Sequence, residues 1–243
     1  MTTSENTVLY TKVGPVAYVS LNRPDVINAY NVRMRDELYL TLEALRDDDE
    51  VRVGIISGEG ERGFCAGADL TEFGTAPSVA VARDVRWERD IWGLFLSIRK
   101  PLIAAIHGYA IGSGVEIACL CDIRIAAENA TFSMPEVALG MVPAAGGTQT
   151  LPRAVGMSRA MYMVLTNRRL DAAEARRIGL VHEVVPLAEL SATAEGYARR
   201  LASLSPEALA AAKTTVLAGM DLPLSDGLAL ERRAVAKLLS SYR

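Results

Sequence analysis

The sequence has few residues that hold metal ions. Its 243 residues include two histidines and three cysteines, and neither a CxxC nor an HExxH pattern occurs. A zinc site takes three or four Cys, His or carboxylate ligands at characteristic spacings. We therefore expect no bound metal. Three cysteines also fit a reducing compartment better than a disulfide framework, so we expect the protein in the cytoplasm.

Long apolar runs and an excess of positive charge are also missing. No apolar run approaches the ~20 residues that cross a bilayer. The first residues, MTTSENTVLYTKVG, lack the basic-then-apolar layout of a signal peptide. Lys and Arg number 26 against 29 Asp and Glu, a net charge of −3. We expect neither a membrane nor a nucleic acid as a partner.

The common nucleotide-binding signatures are absent as well. No GxxxxGK[ST] motif occurs, and the glycines at positions 108, 112 and 114 do not have the spacing of a GxGxxG fingerprint. The order of strand, glycine-rich turn and helix is right for a dinucleotide site. The spacing argues against one.

The apolar pattern that is present alternates between two periods. Short runs rich in β-branched residues are separated by longer segments of helical period, which is typical of α/β folds. The predicted strands are Val16–Leu21, Val53–Ser57, Leu102–His107, Ile123–Ala126 and Val181–Val185. The predicted helices are Arg33–Arg46, Ala80–Ile98, Gly114–Cys121, Ser158–Leu165, Ala172–Ile178, Leu187–Ala202 and Pro206–Met220. From about residue 158 the pattern is almost wholly helical.

Two glycine-bearing turns follow predicted strands. One is HGYAIGSG at residues 107–114, and the other is GFCAGADL at residues 63–70. Such turns leave backbone N–H groups unsatisfied near the positive end of a following helix, where they can hold an oxygen that becomes negative. Ordinary strand-to-helix connections are the alternative interpretation.

Two isolated carboxylates lie in apolar surroundings. Glu116 is the single acidic residue between Pro101 and Cys121, and Glu136 follows Pro135 among apolar neighbours. Burial raises the pKa of a carboxyl group towards the working pH, so the two form a candidate acid/base pair. A structural glutamate that caps a helix is the alternative for each. Cys65 as a nucleophile and His107 as a base are weaker candidates, because a packed turn is favoured for Cys65 and a structural hydrogen-bond donor for His107.

These segments together carry a resemblance to the enoyl-CoA hydratase/isomerase (crotonase) family, from about Val16 to at least Ala212. The matching stretches are Asn22-Arg23-Pro24 with Asn28-Ala29, Phe64–Leu70, His107–Ala110 with Gly112–Glu116, Pro135-Glu136, Pro143, Gly146–Gln149, Leu151–Arg153 and Ala172–Val181. In this order they are highly specific, although none would be alone.

The resemblance implies roles for the two turns and the two acids. The backbone N–H groups of Ala68 and Ser113 would form the oxyanion hole for a thioester oxygen. Glu116 would deprotonate the water that attacks C3 of a trans-2-enoyl-CoA, and Glu136 would exchange a proton with C2. Double-bond isomerisation through Glu136 alone is one alternative function. A non-catalytic acyl-CoA-binding protein is another, and nucleic-acid binding on this scaffold is disfavoured by the acidic balance.

The resemblance also implies the fold, the partners and the remaining site residues. The fold would be α/β, a crotonase-like spiral of ββα units with a helical C-terminal region for trimerisation. Residues 1–157 would form the core with the acyl-CoA site and residues 158–243 the C-terminal region, as one continuous functional unit. The partner would be an acyl-CoA thioester, whose coenzyme A is substrate, with no separate cofactor. A homotrimer or a dimer of trimers is expected. Substrate- or CoA-binding residues would be Asn28, Ala29, Ala66, Asp69, Leu70, Trp87 and Gly112.

Three departures from the family pattern stand out. Asp25-Val26-Ile27 lacks the basic residue that many members have before Asn28, which bears on the phosphate contacts of CoA. Ser113 stands where many members have glycine. The sequence ends at Arg243, where relatives usually continue through a further helical segment that helps to cover CoA.

Overall fold

A six-stranded sheet forms the centre of the fold. The computed structural model describes residues 6–73, 75 and 89–240. The sheet contains β1 (Val8–Val13), β2 (Val16–Leu21), β3 (Val53–Gly58), β4 (Leu102–Ile106), β6 (Ile123–Ala127) and β9 (Glu183–Val185), in that spatial order. β1 pairs antiparallel to β2, and every later pair in this sheet is parallel. The carboxyl ends of β3 and β4 therefore lie side by side, which brings the two glycine turns together.

A second, smaller sheet lies beyond those carboxyl ends. It contains β5 (Tyr109–Ile111), β7 (Thr131–Ser133) and β8 (Leu170–Asp171), with β5 parallel to β7 and β7 antiparallel to β8. Single bridges join Gly63 to Gly108 and Cys65 to Ala110. The chain thus passes repeatedly from the large sheet to the small one and then into a helix, as a spiral of ββα units does.

Helices cover the sheets and supply the remaining elements. They are α1 (Val32–Asp47), α2 (Ile91–Ser97), α3 (Ser113–Leu120), α4 (Gly147–Val155), α5 (Met157–Thr166), α6 (Ala172–Ile178), α7 (Leu190–Ala202), α8 (Pro206–Gly219) and α9 (Leu224–Ser240). α1 shows why such a segment is helical. The Asn31 side chain accepts a hydrogen bond from Met34 N at 2.9 Å, and Met34, Leu38, Leu42 and Leu45 form its buried stripe.

The central strands of the large sheet are buried on both faces. One face meets α7 through Leu190, Ala194 and Ala198, and the other belongs to the main core with α1 and α3. All five residues of β4 are buried, as the continuous apolar run in this segment predicted.

Most predicted elements are confirmed, with three corrections. The helix predicted over Ala80–Ile98 does not run through residues 89–90, because Asp90 caps α2 by accepting a hydrogen bond from Gly93 N at 2.9 Å. Residues 76–88 lie outside the described part. The helix predicted from Leu187 begins with a 3-10 turn, Leu187–Glu189, before α7. The last third also contains β8, a two-residue strand that was not predicted, whereas β9 confirms the strand predicted at Val181–Val185 but begins at Glu183.

The predicted division after residue 157 stays a prediction, since sheet pairing crosses it. α8 and α9 pack against each other and leave apolar side chains exposed, among them Val216, Met220, Leu224 and Leu239. Within the described residues, no helix combines the length and apolarity needed to cross a bilayer. The same residues contain no cluster of three or more His, Cys, Asp or Glu placed to hold a metal ion.

Candidate active site

The turn after β3 is held by one buried asparagine. Asn28 is fully buried, and its Nδ2 donates to Glu59 O at 3.0 Å and to Gly63 O at 2.9 Å. Its Oδ1 accepts a hydrogen bond from Arg23 N at 2.8 Å. All three of these side-chain hydrogen bonds are thus made with the protein's own backbone. Asn28 positions the turn at residues 63–70 and does not present its amide to a ligand.

A partly buried ion pair clamps the same turn from the other side. Arg23 Nη1 lies 2.8 Å from Asp69 Oδ2 and 2.6 Å from Ala29 O. Asp69 also accepts hydrogen bonds from the hydroxyl and the backbone of Thr71, and these contacts together with Arg23 lower the pKa of its carboxyl group. The Asp69 side chain therefore fixes the residue that follows Ala68.

The turn after β5 closes on the first turn through backbone contacts. Ile111 N donates to Cys65 O, and Cys65 N donates to Tyr109 O, both at 2.9 Å. Gly67 has φ +95°, and a Cβ atom there would lie 3.0 Å from Ile111 O and 3.8 Å from Ser113 N. Position 112 also requires glycine, since its φ of 52° and ψ of −114° disfavour any residue with an L side chain. The approach of the two turns therefore depends on glycine at both positions.

Two backbone amides in these turns are free to bind an acceptor. Within residues 6–73, 75 and 89–240, neither Ala68 N nor Ser113 N donates a hydrogen bond. Ser113 is the first residue of α3, where the helix dipole adds positive potential. Both residues line one cavity of about 240 Å³, together with Tyr30, Trp92 and Ala145. The two residues that carry the predicted oxyanion donors thus border a shared space.

Glu116 lies one turn into α3, and only 2% of its surface is exposed. Its Oε1 accepts hydrogen bonds from Ala145 N at 3.0 Å and Gly147 N at 2.9 Å, at the start of α4. Burial raises the pKa of this carboxyl group, while the two amides and the nearby Ser113 hydroxyl act in the opposite direction. The anion is therefore buried but has fixed donors, which suits a base.

Glu136 opens a 3-10 turn, Glu136–Leu139, directly after Pro135. The residue is half-buried, and its Oε2 is shielded from solvent without a hydrogen-bond partner among the described residues. Burial raises the pKa of its carboxyl group, opposed only by its own backbone N–H. With so little support for its anion, this carboxyl group suits an acid that starts protonated.

The two carboxylates and the two amides belong to one site. The charge of Glu136 contributes to the raised pKa of Glu116. A Cβ atom on Gly112 would lie 2.6 Å from Glu136 Oε1, and one on Gly147 would lie 2.7 Å from Glu116 Oε1. The arrangement can hold an oxygen that becomes negative beside two carboxyl groups of unequal proton affinity. That combination suits proton transfer at carbons next to a thioester carbonyl.

The other predicted residues have less direct support. Ala29 and Ala66 are half-buried, and Leu70, at the end of the turn at residues 63–70, is 52% exposed. Trp87 lies outside the described residues. Cys65 is buried, and burial raises the pKa of its thiol to about 12, which fits the predicted packing role.

Sequence reasoning missed three contributors. Tyr30 lines the cavity next to Ala68 and Ser113, and its ring centroid lies 5.9 Å from that of Trp92. The amides of Ala145 and Gly147 hold Glu116 from 29 and 31 residues away. The glycine pair at 146–147 was the available signal, because glycine lets backbone amides approach a carboxylate closely.

Comparisons with known proteins identify the family of the chain. The family model for enoyl-CoA hydratase/isomerase matches residues 11–242. A short-chain-enoyl-CoA hydratase of Clostridium acetobutylicum is 39% identical over 236 residues, which are 97% of this chain and 90% of the relative. A 2,3-dehydroadipyl-CoA hydratase of Escherichia coli is 41% identical over 226 residues, which are 93% and 88% of the two chains. The crystal structure of a Thermobifida fusca protein in complex with CoA superimposes with a TM-score of 0.90 at 34% identity. The match covers 98% of this chain and 94% of that one.

Proposed function

Because the chain belongs to the enoyl-CoA hydratase/isomerase family, we propose that it is an enoyl-CoA hydratase that uses Glu116 and Glu136 as its acid/base pair. The reaction adds water across the C2=C3 bond of a trans-2-enoyl-CoA. The observation that carries the proposal is the difference between the two carboxyl groups. Glu116 has two fixed amide donors for its anion, whereas a buried oxygen of Glu136 has none among the described residues.

The proposed mechanism begins with the thioester oxygen between Ala68 N and Ser113 N. Glu116 takes a proton from water, and the water oxygen forms a bond to C3. The C2=C3 electron pair moves towards the thioester, and the negative charge develops on the oxygen held by the two amides. Each such donor typically contributes ~10²–10³ in rate.

Glu136 completes the addition by giving its proton to C2 as the enolate collapses. The product is a 3-hydroxyacyl-CoA, Glu116 is left protonated and Glu136 ionised. Transfer of one proton from Glu116 to Glu136, directly or through solvent, restores the starting state. Atoms and charge balance without a metal or a separate cofactor, so we propose that none takes part.

The test is hydration of crotonyl-CoA, followed by the loss of enoyl absorbance. Glu116→Gln and Glu136→Gln keep the size of each side chain and remove its proton chemistry, so each should lower kcat by ~10²–10⁴. Glu128→Gln is the matched control, because Glu128 is exposed and its variant should retain wild-type rates. Full activity in either site variant would reject the assignment.

Two alternatives have distinct outcomes. If a double-bond shift requires Glu136 and survives Glu116→Gln, the enzyme is an isomerase that uses Glu136 alone. If calorimetry shows binding of acyl-CoA with no turnover over a range of chain lengths, the protein is a non-catalytic acyl-CoA binder.

We also propose a homotrimer or a dimer of trimers. The exposed apolar residues of α8 and α9, together with Met157 (75% exposed) and Leu165 (61% exposed) at the two ends of α5, support it. Light scattering coupled to gel filtration tests the mass, and a monomer at micromolar concentration would count against it. The three free cysteines support a reducing, cytoplasmic location.

A further inference from the structure

The N–H bond of Ala68 is oriented by the backbone of a neighbouring segment at Tyr30. The two residues form a parallel bridge. In it, Tyr30 N donates to Gly67 O at 2.8 Å, and Asp69 N donates to Tyr30 O at 2.9 Å. Gly67 O and Ala68 N belong to one trans peptide unit, so they point in opposite directions. Because Gly67 O is turned towards Tyr30, the N–H bond of Ala68 points away from it.

One nitrogen of Arg23 ties that segment to the turn. Arg23 Nη1 donates to Ala29 O at 2.6 Å and to Asp69 Oδ2 at 2.8 Å. Ala29 and Asp69 lie on the two backbone segments that pair at Ala68, so the guanidinium group joins both of them. The backbone of Arg23 is itself fixed, because Arg23 N donates to Oδ1 of the fully buried Asn28 at 2.8 Å. Arg23 therefore holds the Ala68 peptide from a fixed point of the fold.

The charge of Asp69 is a second reason for a cation at this position. Adjacent Cα atoms lie about 3.8 Å apart, so the side chain of Asp69 stays close to the peptide nitrogen of Ala68. A carboxylate there opposes the negative charge that develops on a thioester oxygen held by Ala68 N. The side chains of Arg23 and Asp69 are only 22% and 12% exposed, so solvent screens this repulsion incompletely. Among the described residues Arg23 is the single cation paired with Asp69, and it neutralises the carboxylate.

We propose that Arg23 is a positioning residue of the oxyanion hole, which orients the Ala68 amide and neutralises Asp69 beside the developing enolate. This inference rests on the proposed function, since it takes Ala68 N as one of the two donors to the thioester oxygen. Loss of Arg23 alone leaves a looser turn and an unpaired carboxylate next to the site. Loss of both charges leaves the looser turn without the unpaired carboxylate.

Substitutions of the pair separate these two effects in crotonyl-CoA hydration. Arg23→Gln should lower kcat by about 10- to 100-fold, the usual cost of removing a group that orients a directly acting one. KM should change much less, because the bond from Ala68 N strengthens only as charge develops on the oxygen. Arg23→Lys keeps the charge and should recover part of the loss. The double variant Arg23→Gln/Asp69→Asn should exceed Arg23→Gln in kcat, since no carboxylate is then left unpaired.

Lys213→Gln is the matched control for loss of a partly buried ion pair. Lys213 Nζ also bridges a carboxylate and a backbone carbonyl, with Asp122 Oδ2 at 2.7 Å and Lys100 O at 3.0 Å. Asp122 Oδ2 accepts a hydrogen bond from Leu102 N at the start of β4, at the opposite end of this strand from the glycine turn. The control should lose stability in thermal unfolding and retain its kcat. Losses of kcat in proportion to lost stability in both variants, or a double variant no faster than Arg23→Gln, would overturn the proposal.

Infrared difference spectra of bound hexanoyl-CoA, isotopically labelled at the carbonyl carbon, distinguish failure of this inference from failure of the proposed function. The thioester is saturated, so hydration does not consume it. Hydrogen bonds from Ala68 N and Ser113 N weaken its C=O bond, and the stretching frequency should fall on binding to the wild-type protein. A smaller fall in Arg23→Gln than in Lys213→Gln supports the inference even if hydration is absent.

The remaining outcomes of the infrared measurement each count against a stated part. An equal fall in the two variants would reject the inference, and the proposed function would still stand if the wild type hydrates crotonyl-CoA. No fall in the wild type would reject the oxyanion hole at Ala68 and Ser113, and with it both proposals.

Discussion

Gly112→Ala is the substitution that most directly tests the geometry of the site. Gly112 precedes Ser113, whose amide is one of the two proposed to bind the thioester oxygen, and it also lies against Glu136. A Cβ atom at this position would lie 2.6 Å from Glu136 Oε1. The obstructing atom is the end of a flexible side chain, so the fold can survive the change while the carboxyl group must move.

The magnitude follows from the distances. Ordinary contact begins near 3.4 Å, so Oε1 must retreat by about 0.8 Å. Catalytic groups tolerate roughly 0.5 Å of displacement, and a shift of about 1 Å can cost ~10²-fold in rate. We therefore expect kcat for crotonyl-CoA hydration to fall by about 10²-fold, with a smaller change in KM.

Backbone strain is a separate effect that needs its own control. Alanine at φ 52° and ψ −114° costs ~1–3 kcal/mol of stability wherever it occurs. Gly156, with φ 83° and ψ 152°, is also outside the regions that alanine favours, and a Cβ atom there would meet no atom within 4 Å. Gly156→Ala should therefore lose similar stability and keep its activity.

Steady-state hydration rates and thermal unfolding of both variants decide the matter. A kcat for Gly112→Ala within about threefold of wild type would refute this prediction. The prediction is also wrong if the two variants lose activity in proportion to their loss of stability, because strain alone would then explain both.

Three further predictions concern stability and local structure. Because burial raises the pKa of Glu116 above its ordinary value of 4.5, the stability linked to this group is present below pH 4.5 and is lost as the pH rises through the raised pKa. Glu116→Gln should therefore unfold at a higher temperature than wild type at neutral pH, and a gain that persists below pH 4 would contradict this. Asn28→Ala removes the three hydrogen bonds of a fully buried side chain and leaves a non-glycine residue at φ 54°, so urea unfolding should show a loss of roughly 3 kcal/mol or more. A loss under about 1 kcal/mol would show that Asn28 does not position the turn at residues 63–70. Asp171→Ala removes the N-cap bond to Glu174 N and should cost about 1 kcal/mol with crotonyl-CoA hydration unchanged, whereas a loss of activity would show coupling to the site.

The parallel strands were predictable because their signal is long and local. β3 and β4 are continuous apolar runs followed by glycine turns, and both are confirmed in place. β5, β7 and β8 were not predicted, since segments of two or three residues are too short to show a period. The small sheet, which positions the turn before Ser113, therefore depends on tertiary contacts and could not be predicted from local sequence.

The candidate site likewise has features that local sequence predicts and features that depend on the folded chain. Glu116 and Glu136 stood out because an isolated carboxylate in an apolar run is costly, and that argument needs only neighbours in sequence. Their different proton affinities depend on Ala145 and Gly147, which approach Glu116 only in the folded chain. The Tyr30 hydroxyl has no partner among the described residues, and this too is a property of packing that the neighbouring Asn28-Ala29 does not indicate.

The proposed oxyanion hole consists of backbone amides and contains no side chain. In the proposed mechanism Ala68 and Ser113 act through peptide nitrogens, which every substitution except proline retains. Mutation can therefore remove or replace either glutamate while the two amides keep their positions, because these are set by turn geometry and by the glycines at 67 and 112. Substitutions of the two glutamates therefore change which carbon gains or loses a proton, whereas the two amides that would stabilise the enolate are retained. The same scaffold is thus open to new reactions on thioesters through single exchanges of acid residues.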